Sequence, residues 1–333
     1  MYLIRGLQNI ELFKARFGDL KLSATIGNFD GLHLGHQHIL DSVKDHAKGE
    51  DFASMVFFTE PHASEYFAEF YDAKKSPPRI CPWREKVTLL KDYGIDFAFF
   101  LKFNPALNRM SPEEFINQVL EQLNLKYLRV GDDFRFGKDR AGGFNMLTDW
   151  GQSSNVEVVS TKTILFKDRR VSSTWIREAL QKDDFKLASQ LLGRPYYFSG
   201  KVVRGQQLGR TIGIPTANLW MPKQRLPVSG VYAVSCSIDG ARLDGIANMG
   251  IRPTVGGSSP VLEVHLFNFN KNIYGKRIKV EFKNKIREEQ KFDNIDALKD
   301  QIHKDINVAK KLCLLYTSPS PRDVEESRMP SSA

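Results

Sequence analysis

The hydrophobic pattern of the chain changes near residue 185, and this change limits the folds available to it. Before that point, short runs rich in apolar residues alternate with amphipathic helical patterns. The runs lie at 20–26, 52–58, 96–103, 126–131 and 156–160. Short runs of this kind are typical of strands buried on both faces of a sheet. Strands that alternate with helices predict an open, mostly parallel sheet with helices on both faces, so residues 1–184 are expected to form an α/β domain.

Two helices in this first half have clear sequence signals. A helical stripe over residues 36–47 follows the first run, and a second helix is predicted over residues 111–123. The second helix has Ser111 as its N-cap, Pro112 at the first helical position and Glu114 three residues after the cap. Both helices agree with the predicted strand–helix alternation.

From about residue 196 the signals are those of strands separated by short turns. Runs such as 230–238 and 277–286 are rich in Val, Ile, Phe and Tyr, and Gly, Pro and Asn separate them. This spacing is typical of an antiparallel barrel. An amphipathic helix is predicted over residues 295–312, so residues 185–312 are expected to form a mostly antiparallel β-barrel domain with a C-terminal helix. Residues 313–333 resemble a translated sequencing adapter and are expected to be a non-native tail.

The composition argues against several classes of protein. No run of about 18 apolar residues occurs, and the first residues lack the regions of a signal peptide. The 3 cysteines, Cys81, Cys236 and Cys313, form no CxxC pair, which suits a reducing compartment. The net charge of +9 favours anionic partners, but the basic residues are spread along the chain rather than grouped. A cytoplasmic protein without a nucleic-acid or membrane partner is therefore expected.

Residues 26–40, IGNFDGLHLGHQHIL, join the first buried run to the first helix. A metal site is the less favoured interpretation, because only Asp30 accompanies His33 and His36 as a further ligand type. Helix N-termini bind phosphate through free backbone N–H groups, and glycines allow a close approach. A phosphate site in which the two histidines stabilise charge on a phosphoryl centre fits better. A turn whose histidines cap the helix or fill a gap is the structural alternative.

The segment VSSTWIREAL, residues 171–180, offers chemistry of the same kind. Ser172 or Ser173 can cap the helix that follows. Ser173 and Thr174 offer hydroxyl and N–H groups to a triphosphate, and Arg177 lies one turn further as a phosphate clamp. An ordinary capped helix is the alternative for this segment.

The second half contains a further candidate site. In residues 205–220, Thr216 and Asn218 alternate along a strand-like segment, so both side chains face the same side. A hydroxyl and an amide oxygen are suitable ligands for Mg²⁺ that carries ATP phosphates. On a later strand Glu263 and His265 point away from the apolar face, so Glu263 can serve as a general base for a hydroxyl nucleophile. A solvent-facing glutamate and a polar turn are the alternatives.

These motifs resemble, in order, those of a known family. GNFDGLHLGHQHIL is similar to the signature of the HxGH nucleotidyltransferases, specifically the bacterial FAD synthetases. Further segments resemble that family, with Ala63 and Val171 in place of its usual proline and isoleucine; they are 57–67, 77–90, 130–143 and 171–180. The later motifs P-T-A-N, N-x-G-x-R-P-T and L-E-V-H-L resemble the riboflavin kinase module fused to these enzymes, with Asn268 where an aspartate is usual. The chain is thus identified as a member of the bacterial bifunctional riboflavin kinase/FMN adenylyltransferase family.

The resemblance implies a Rossmann-like nucleotidyltransferase domain that converts FMN and ATP to FAD and pyrophosphate, followed by a barrel that phosphorylates riboflavin with ATP. It implies Mg²⁺ as cofactor and riboflavin, FMN and ATP as small-molecule partners. The implied catalytic residues are His33, His36 and Glu263. The implied ATP contacts of the first domain are Gly27, Asn28, Phe29, Asp30, Gly35, Ser172, Ser173, Thr174 and Arg177. The implied flavin contacts there are His62, Asp133 and Phe134. The implied ATP contacts of the barrel are Gly209, Arg210, Gly213, Pro215, Thr216 and Asn218, with Thr216 and Asn218 also holding the metal.

Two other functions stay open at this point. One is an adenylyltransferase for another phosphate-bearing acceptor, with the barrel as an unrelated enzyme; this alternative leaves the 130–143 loop and the P-T-A-N segment unexplained. The other is a basic two-domain protein whose barrel binds RNA, which calls for exposed aromatic residues interleaved with Lys or Arg. Residues 196–205 carry only a short stretch of that kind.

Overall fold

The computed structural model describes residues 1–71, 76–205, 209, 213–222, 226–254 and 257–317. They form two compact units. The first comprises Met1–Ile176 and Leu191–Gly193, and the second comprises Arg177–Gln190 and the residues from Arg194 onward. Within the described ranges, no helix is long and apolar enough to cross a membrane.

The first unit is built on a sheet of six strands whose neighbours all run parallel. The strands are β1 (Tyr2–Arg5), β2 (Leu22–Ile26), β3 (Ala53–Glu60), β4 (Phe97–Lys102), β5 (Leu125–Gly131) and β6 (Glu157–Thr161). Their order across the sheet is β1-β4-β3-β2-β5-β6. A short antiparallel hairpin follows β6, made of β7 (Leu165–Phe166) and β8 (Arg169–Arg170).

Helices lie between these strands and after β8. They are α1 (Ile10–Phe17), α2 (Leu34–Gly49), α3 (Ala63–Tyr71), α4 (Trp83–Asp92), α5 (Pro105–Arg109), α6 (Pro112–Phe115), α7 (Phe144–Ser154), α8 (Ser173–Gln181) and α9 (Phe185–Leu192). Short 3₁₀ turns lie at Leu7–Asn9 and Lys138–Arg140.

Both faces of the parallel sheet are buried. Phe57 and Phe99 belong to the core on one face, whereas their chain neighbours Phe58 and Phe100 belong to the core on the other. Adjacent residues of a strand point to opposite faces, so a strand covered on both sides is apolar along its whole length. This is why these strands appear in the sequence as nearly continuous apolar runs.

The order of the strands fixes where a ligand can bind. β3 and β4 lie on one side of β2, whereas β5 and β6 lie on the other. The direction of winding therefore reverses between β2 and β5, and open α/β sheets bind ligands beyond the carboxyl ends of the strands at such a point. The segments that leave β2 and β5 there contain residues 27–33 and 131–143, which are two of the motifs found in the sequence.

The second unit is a closed barrel of six antiparallel strands. The strands are β9 (Tyr197–Val203), β10 (Ala217–Leu219), β11 (Gly230–Ile238), β12 (Ala241–Thr254), β13 (Gly257–Leu266) and β14 (Arg277–Arg287), and helix α10 spans Ile295–Thr317. Val231 and Ala233 of β11 face outward and pack with Ile306 and Ala309 of α10. Between them, Tyr232 faces inward and is fully buried.

The fold class predicted from the sequence is confirmed, with differences in detail. Ser111 and Glu114 form the predicted capping box, but α6 ends at Phe115 and continues as a π-helical turn, Ile116–Leu120. The last helix extends beyond the predicted end at residue 312. Residues 318–333 lie outside the described residues, and the non-native origin of the tail stays a prediction. The boundary after residue 184 also stays a prediction; by contacts, the second unit includes residues 177–190.

Candidate active sites

The first candidate site begins where β2 ends and α2 starts. His33 is the N-cap of α2, and its Nδ1 accepts a hydrogen bond from the backbone N–H of His36 at 3.3 Å. The two imidazole rings stack with their centroids 3.6 Å apart. An Nδ1 that accepts a hydrogen bond carries no proton, so the proton of a neutral His33 is on Nε2. Nε2–H is therefore the donor of a neutral His33.

His36 presents a different atom to the site. Its Nδ1 is buried and has no hydrogen-bond partner among the described residues. Burial lowers the pKa of His36 well below its ordinary value of 6.5, and the nearby charges of His33 and Lys86 lower it further. His36 is therefore a neutral imidazole at physiological pH. The third histidine of the motif, His38, is exposed.

The backbone of the loop is held in a conformation that few residues adopt. Phe29 and Leu32 have φ values of 47° and 45°, and Gly31 has a φ of 80°. A Cβ on Gly31 would lie 2.6 Å from the Ile80 side chain, so glycine is required there by both conformation and space. Left-handed conformations of non-glycine residues cost about 1–3 kcal/mol each and are concentrated at functional sites.

The other glycines of the motif lie close to its side chains. A Cβ on Gly27 would lie 3.0 Å from the ring of Phe29, and a Cβ on Gly35 would lie 3.2 Å from the ring of His33. The N–H of Gly27 donates to the carbonyl of Phe57 at 3.1 Å. These two glycines therefore allow the rings of the motif to fold closely over the loop.

The loop is tied to two other segments of the first unit through Asp30. The Asp30 carboxylate accepts hydrogen bonds from the backbone N–H groups of Ile80 and Cys81, each at 3.2 Å. The Ser173 hydroxyl donates to the Asp30 carbonyl at 3.2 Å. Within the first unit, the structure thus brings Ser173 of the second predicted phosphate motif to the loop of the first, residues 26–40.

The start of α8 has the geometry predicted for its serines. The Ser172 hydroxyl accepts from the backbone N–H of Trp175 at 3.2 Å, so Ser172 is the cap and Ser173 is free to contact the loop. Thr174 is exposed. Arg177 lies one turn further along the helix, at the residue where the second unit begins.

A buried network of polar side chains supports the loop from α4. The Lys86 Nζ donates to the Asn28 carbonyl at 2.6 Å and lies 3.0 Å from the Nε2 of His62. His62 and Lys86 are both buried. Lys86 lies in the family-like segment 77–90, but the sequence predicts no role for it, because a lysine on an amphipathic helix is normally exposed.

A second part of this network holds the segment of His62. Arg79 is buried and makes a bidentate contact with Glu60 at 2.8 and 2.9 Å, and it also pairs with Glu65. A Glu65 carboxylate oxygen accepts from the backbone N–H of His62 at 3.1 Å. Charged side chains that are buried in this way are stable only when paired. The network therefore fixes the backbone of His62, whereas Lys86 contacts its ring.

The predicted flavin loop leaves β5 on the other side of the switch point. Asp133 is exposed and forms an ion pair with Arg170 at 3.0 Å. The ring of Phe134 stacks on Phe136 with centroids 5.7 Å apart, and it packs partly against the core. The structure thus puts Asp133 and Phe134 in one loop beyond the sheet. The exposed ion pair between Asp133 and Arg170 holds the two side chains only weakly.

The second candidate site is a row of polar side chains across three barrel strands. Asn218 of β10 is directly opposite Glu263 of β13, and Glu263 is opposite Asn248 of β12. Residues directly opposite each other in antiparallel strands have side chains on the same face. The row continues to Val231 of β11, which faces α10. Glu263 therefore projects from the outer face of the barrel, between two asparagines.

Asn218 is buried and lies against Gly205. A Cβ on Gly205 would overlap the Asn218 side-chain amide, so the absence of a side chain there makes room for the amide. Gly209 accepts a hydrogen bond from the Ile214 N–H at 2.7 Å, and Gly213 has a φ of 79°. The predicted contact Arg210 lies outside the described residues.

The segment before β10 is fixed by a histidine that the sequence did not assign. The His265 Nδ1–H donates to the Pro215 carbonyl at 2.8 Å. Thr216 follows Pro215, and a Cβ on Gly209 would lie 3.3 Å from its hydroxyl. Alternation along β13 already puts His265 on the face of Glu263, whereas the place of Asn248 follows only from the strand register.

The side chains of Thr216 and Asn218 fit a magnesium ion that arrives with ATP. Mg²⁺ prefers oxygen ligands and usually keeps several waters, with few protein ligands plus substrate phosphates. A hydroxyl and a buried amide, each beside a glycine, provide a donor set of this kind.

Two family models match the chain. One, described as FAD synthetase, matches residues 19–175, and one, described as riboflavin kinase, matches residues 192–313. Among curated proteins, the chain is 42% identical to the bifunctional riboflavin kinase/FMN adenylyltransferase of Haemophilus influenzae, over 93% of this chain and 98% of that one. The Escherichia coli K12 protein of the same name is 41% identical, over 93% of this chain and 97% of that one.

A solved structure shares the fold over nearly the whole length. It is the crystal structure of a protein described as a macrolide-efflux protein from Streptococcus pneumoniae. It has a TM-score of 0.74 and 29% sequence identity, and the match covers 92% of this chain and 98% of that one.

Proposed function

The chain belongs to the family of bifunctional riboflavin kinases/FMN adenylyltransferases, and from this premise we propose that it makes FAD from riboflavin in two ATP-dependent steps. The first unit transfers the adenylyl group and the barrel phosphorylates riboflavin. The observation that carries this proposal is the separation of the two sites: the His33–His36 loop lies in the first unit, and the Asn218–Glu263 row lies in the second.

In the first unit, a phosphate oxygen of FMN attacks the α-phosphorus of ATP. The new P–O bond forms as the bond to the pyrophosphate oxygen breaks, and no protein nucleophile is needed. The chain positions the reactants and stabilises the charge on the phosphoryl oxygens. Nε2–H of His33, the neutral imidazole of His36 and the N-terminal N–H groups of α2 supply this stabilisation.

In the barrel, the Glu263 carboxylate takes the proton of the riboflavin 5′-hydroxyl. The hydroxyl oxygen attacks the γ-phosphorus of ATP, and ADP leaves with the electrons of the broken P–O bond. Thr216 and Asn218 would hold Mg²⁺, which would offset the negative charge of the ATP phosphates when bound. The hydrogen bond from His265 to the Pro215 carbonyl keeps their segment next to Glu263.

The test is incubation of the full chain with riboflavin and Mg·ATP, followed by chromatographic separation of FMN and FAD. We expect FMN to appear first and FAD to follow with release of pyrophosphate. A parallel reaction that starts from FMN should give FAD without ADP. Omission of Mg²⁺ with a chelator present should stop the conversion of riboflavin. Formation of neither product from riboflavin and Mg·ATP would refute the proposal.

The cytoplasm is the compartment that fits this chemistry. ATP is the co-substrate of both reactions, and Cys81 and Cys236 are buried free thiols, as suits a reducing environment. Fractionation of the source cells, with the protein followed by antibody, tests this part of the proposal.

A further inference from the structure

We propose that Lys86 is a positioning residue of the adenylyl-transfer site, which fixes the ring of His62 in its Nδ1–H tautomer and holds the phosphate loop at Asn28. The kinetic part of this inference rests on the proposed function of the first unit. The structural part concerns the protonation of one imidazole and is independent of any activity.

The burial of Lys86 needs an explanation. Its side chain has 0% exposure in the middle of the first unit, although lysine is among the residues least often fully buried. Burial of a charged group is costly unless hydrogen bonds offset it, and an apolar residue would fill the same space without that cost. The Nζ offsets the cost through the Asn28 carbonyl at 2.6 Å, the His62 Nε2 at 3.0 Å and the face of the Phe58 ring at 4.9 Å.

The contact with His62 fixes the position of a proton. Burial lowers the pKa of Lys86; in its protonated form the ammonium group has three donors and no acceptor, so His62 then accepts with Nε2. The proton of a neutral His62 is then on Nδ1. The backbone of His62 is held separately by Glu65, so Lys86 controls the ring and Glu65 controls the main chain.

Both hydrogen-bond partners of Lys86 are in segments predicted to contact substrates. Asn28 is in the loop predicted to hold ATP, and His62 is a predicted flavin contact. One buried cation therefore links the two segments that have to hold the two reactants in register. Burial is the main cause of the lowered pKa of His36, and the charge of Lys86 lowers it further. A displacement of about 1 Å in such a site can cost on the order of 100-fold in rate.

The first test is nitrogen NMR of the full chain labelled at histidine, with His62→Ala to assign the signal. We expect Nδ1–H for His62 in the unchanged protein. In Lys86→Met this tautomer should be lost, because the donor to Nε2 is gone, and in Lys86→Arg it should be kept. An Nε2–H signal for His62 in the unchanged protein would overturn the proposal.

The second test is the kinetics of FAD formation from FMN. We expect Lys86→Met to lower kcat by on the order of 100-fold, and Lys86→Arg to recover part of that loss. The combined Lys86→Met/His62→Ala variant should lose much less than the product of the two single losses, since both act through one ring. Riboflavin phosphorylation by the same variants should stay at the level of the unchanged protein.

The matched control is Lys44→Met. Lys44 also donates to a backbone carbonyl, that of Tyr93 at 2.7 Å, and it also lies over an aromatic ring, but it is two helical turns beyond His36. We expect this variant to keep its FAD formation. Equal effects of Lys44→Met and Lys86→Met would reduce Lys86 to a packing residue and overturn the proposal. Absence of FAD formation in the unchanged protein would instead refute the proposed function, while the NMR test would still decide the role of Lys86.

Discussion

The two histidines of the phosphate loop are not equivalent, although the sequence motif presents them as a pair. His33 uses Nδ1 to cap α2, so its donor in the neutral form is Nε2–H. His36 leaves Nδ1 unpaired and its ring neutral. Because their rings are stacked, protonation of both imidazoles would place two positive charges side by side, which is unfavourable.

We expect His36→Ala to lower FAD formation from FMN by on the order of 100- to 1000-fold, as for the loss of one group that stabilises transition-state charge. Riboflavin phosphorylation should be unchanged, because Glu263 lies in the other unit. The measurement is the initial rate of each reaction with purified protein. His38→Ala is the matched control, since His38 is exposed on the same helix; equal loss of both activities in His36→Ala would contradict separate sites.

The lowered pKa of His36 also predicts a pH dependence of stability. Below the ordinary value of 6.5, the unfolded chain binds a proton that the folded protein does not bind. The free energy of unfolding should therefore fall as the pH drops through and below this value, until the pKa of the folded state is reached. The check is the change in Tm between neutral and mildly acidic buffer, which should be smaller in His36→Gln than in the unchanged protein. A larger change in that variant would contradict the assignment.

The sequence was sufficient to predict that His33, His36 and Ser173 lie at helix starts, because this depends on local spacing; their roles stay predictions. It was not sufficient for Lys86, because burial of a helix lysine depends on which segments pack against that helix. Asn248 is a similar case: its place beside Glu263 follows from the register of two strands. Local patterns indicate caps and turns, whereas tertiary neighbours are set by the whole fold.

At the scale of elements, the two serines at the start of α8, Ser172 and Ser173, make different contacts. Ser172 caps the helix, and Ser173 contacts the Asp30 carbonyl of the β2–α2 loop. The sequence allowed either serine to be the cap. It also predicted one helix over residues 111–123, whereas the chain changes to a π-helical turn after Phe115, which the capping signal at its start does not determine.

We expect Ser172→Ala and Ser173→Ala to have opposite profiles. Ser172→Ala should destabilise the protein by about 1 kcal/mol through loss of the cap, and it should lower the rate of FAD formation less than Ser173→Ala does. Ser173→Ala should lower that rate more than it lowers stability, because it releases α8 from the loop. The measurements are Tm and kcat/KM for FMN at a temperature at which both variants are folded. A larger rate effect from Ser172→Ala would contradict this division.

At the scale of the whole molecule, the chain combines an open parallel sheet and a closed antiparallel barrel. The sequence predicted both, because period and turn spacing differ strongly between the two halves. It did not predict the edge strand β1, which is only 4 residues long, or the strand order that creates the switch point. Strand order depends on long-range pairing, for which one sequence contains no direct signal.

We expect two variants that each fail to make FAD from riboflavin, His36→Ala and Glu263→Gln, to make it when they are mixed. Alone, His36→Ala should convert riboflavin to FMN and stop, whereas Glu263→Gln should leave riboflavin unchanged. An equimolar mixture should form FAD from riboflavin, because FMN made by one chain can be adenylylated by the other. The measurement is chromatography of the products over time. A mixture that accumulates FMN without FAD would contradict this expectation.

The reversal of the sheet between β2 and β5 separates the loop proposed to hold the nucleotide from the loop of the predicted flavin contacts Asp133 and Phe134. The loop after β2 is tied to residues 80–81 and to α8. The loop after β5 is closed on itself by two backbone hydrogen bonds between Phe136 and Gly142. An exchange of residues 131–143 would therefore leave the histidines in place. In evolutionary terms, the sheet lets a lineage keep the reaction while it changes the molecule that receives the adenylyl group.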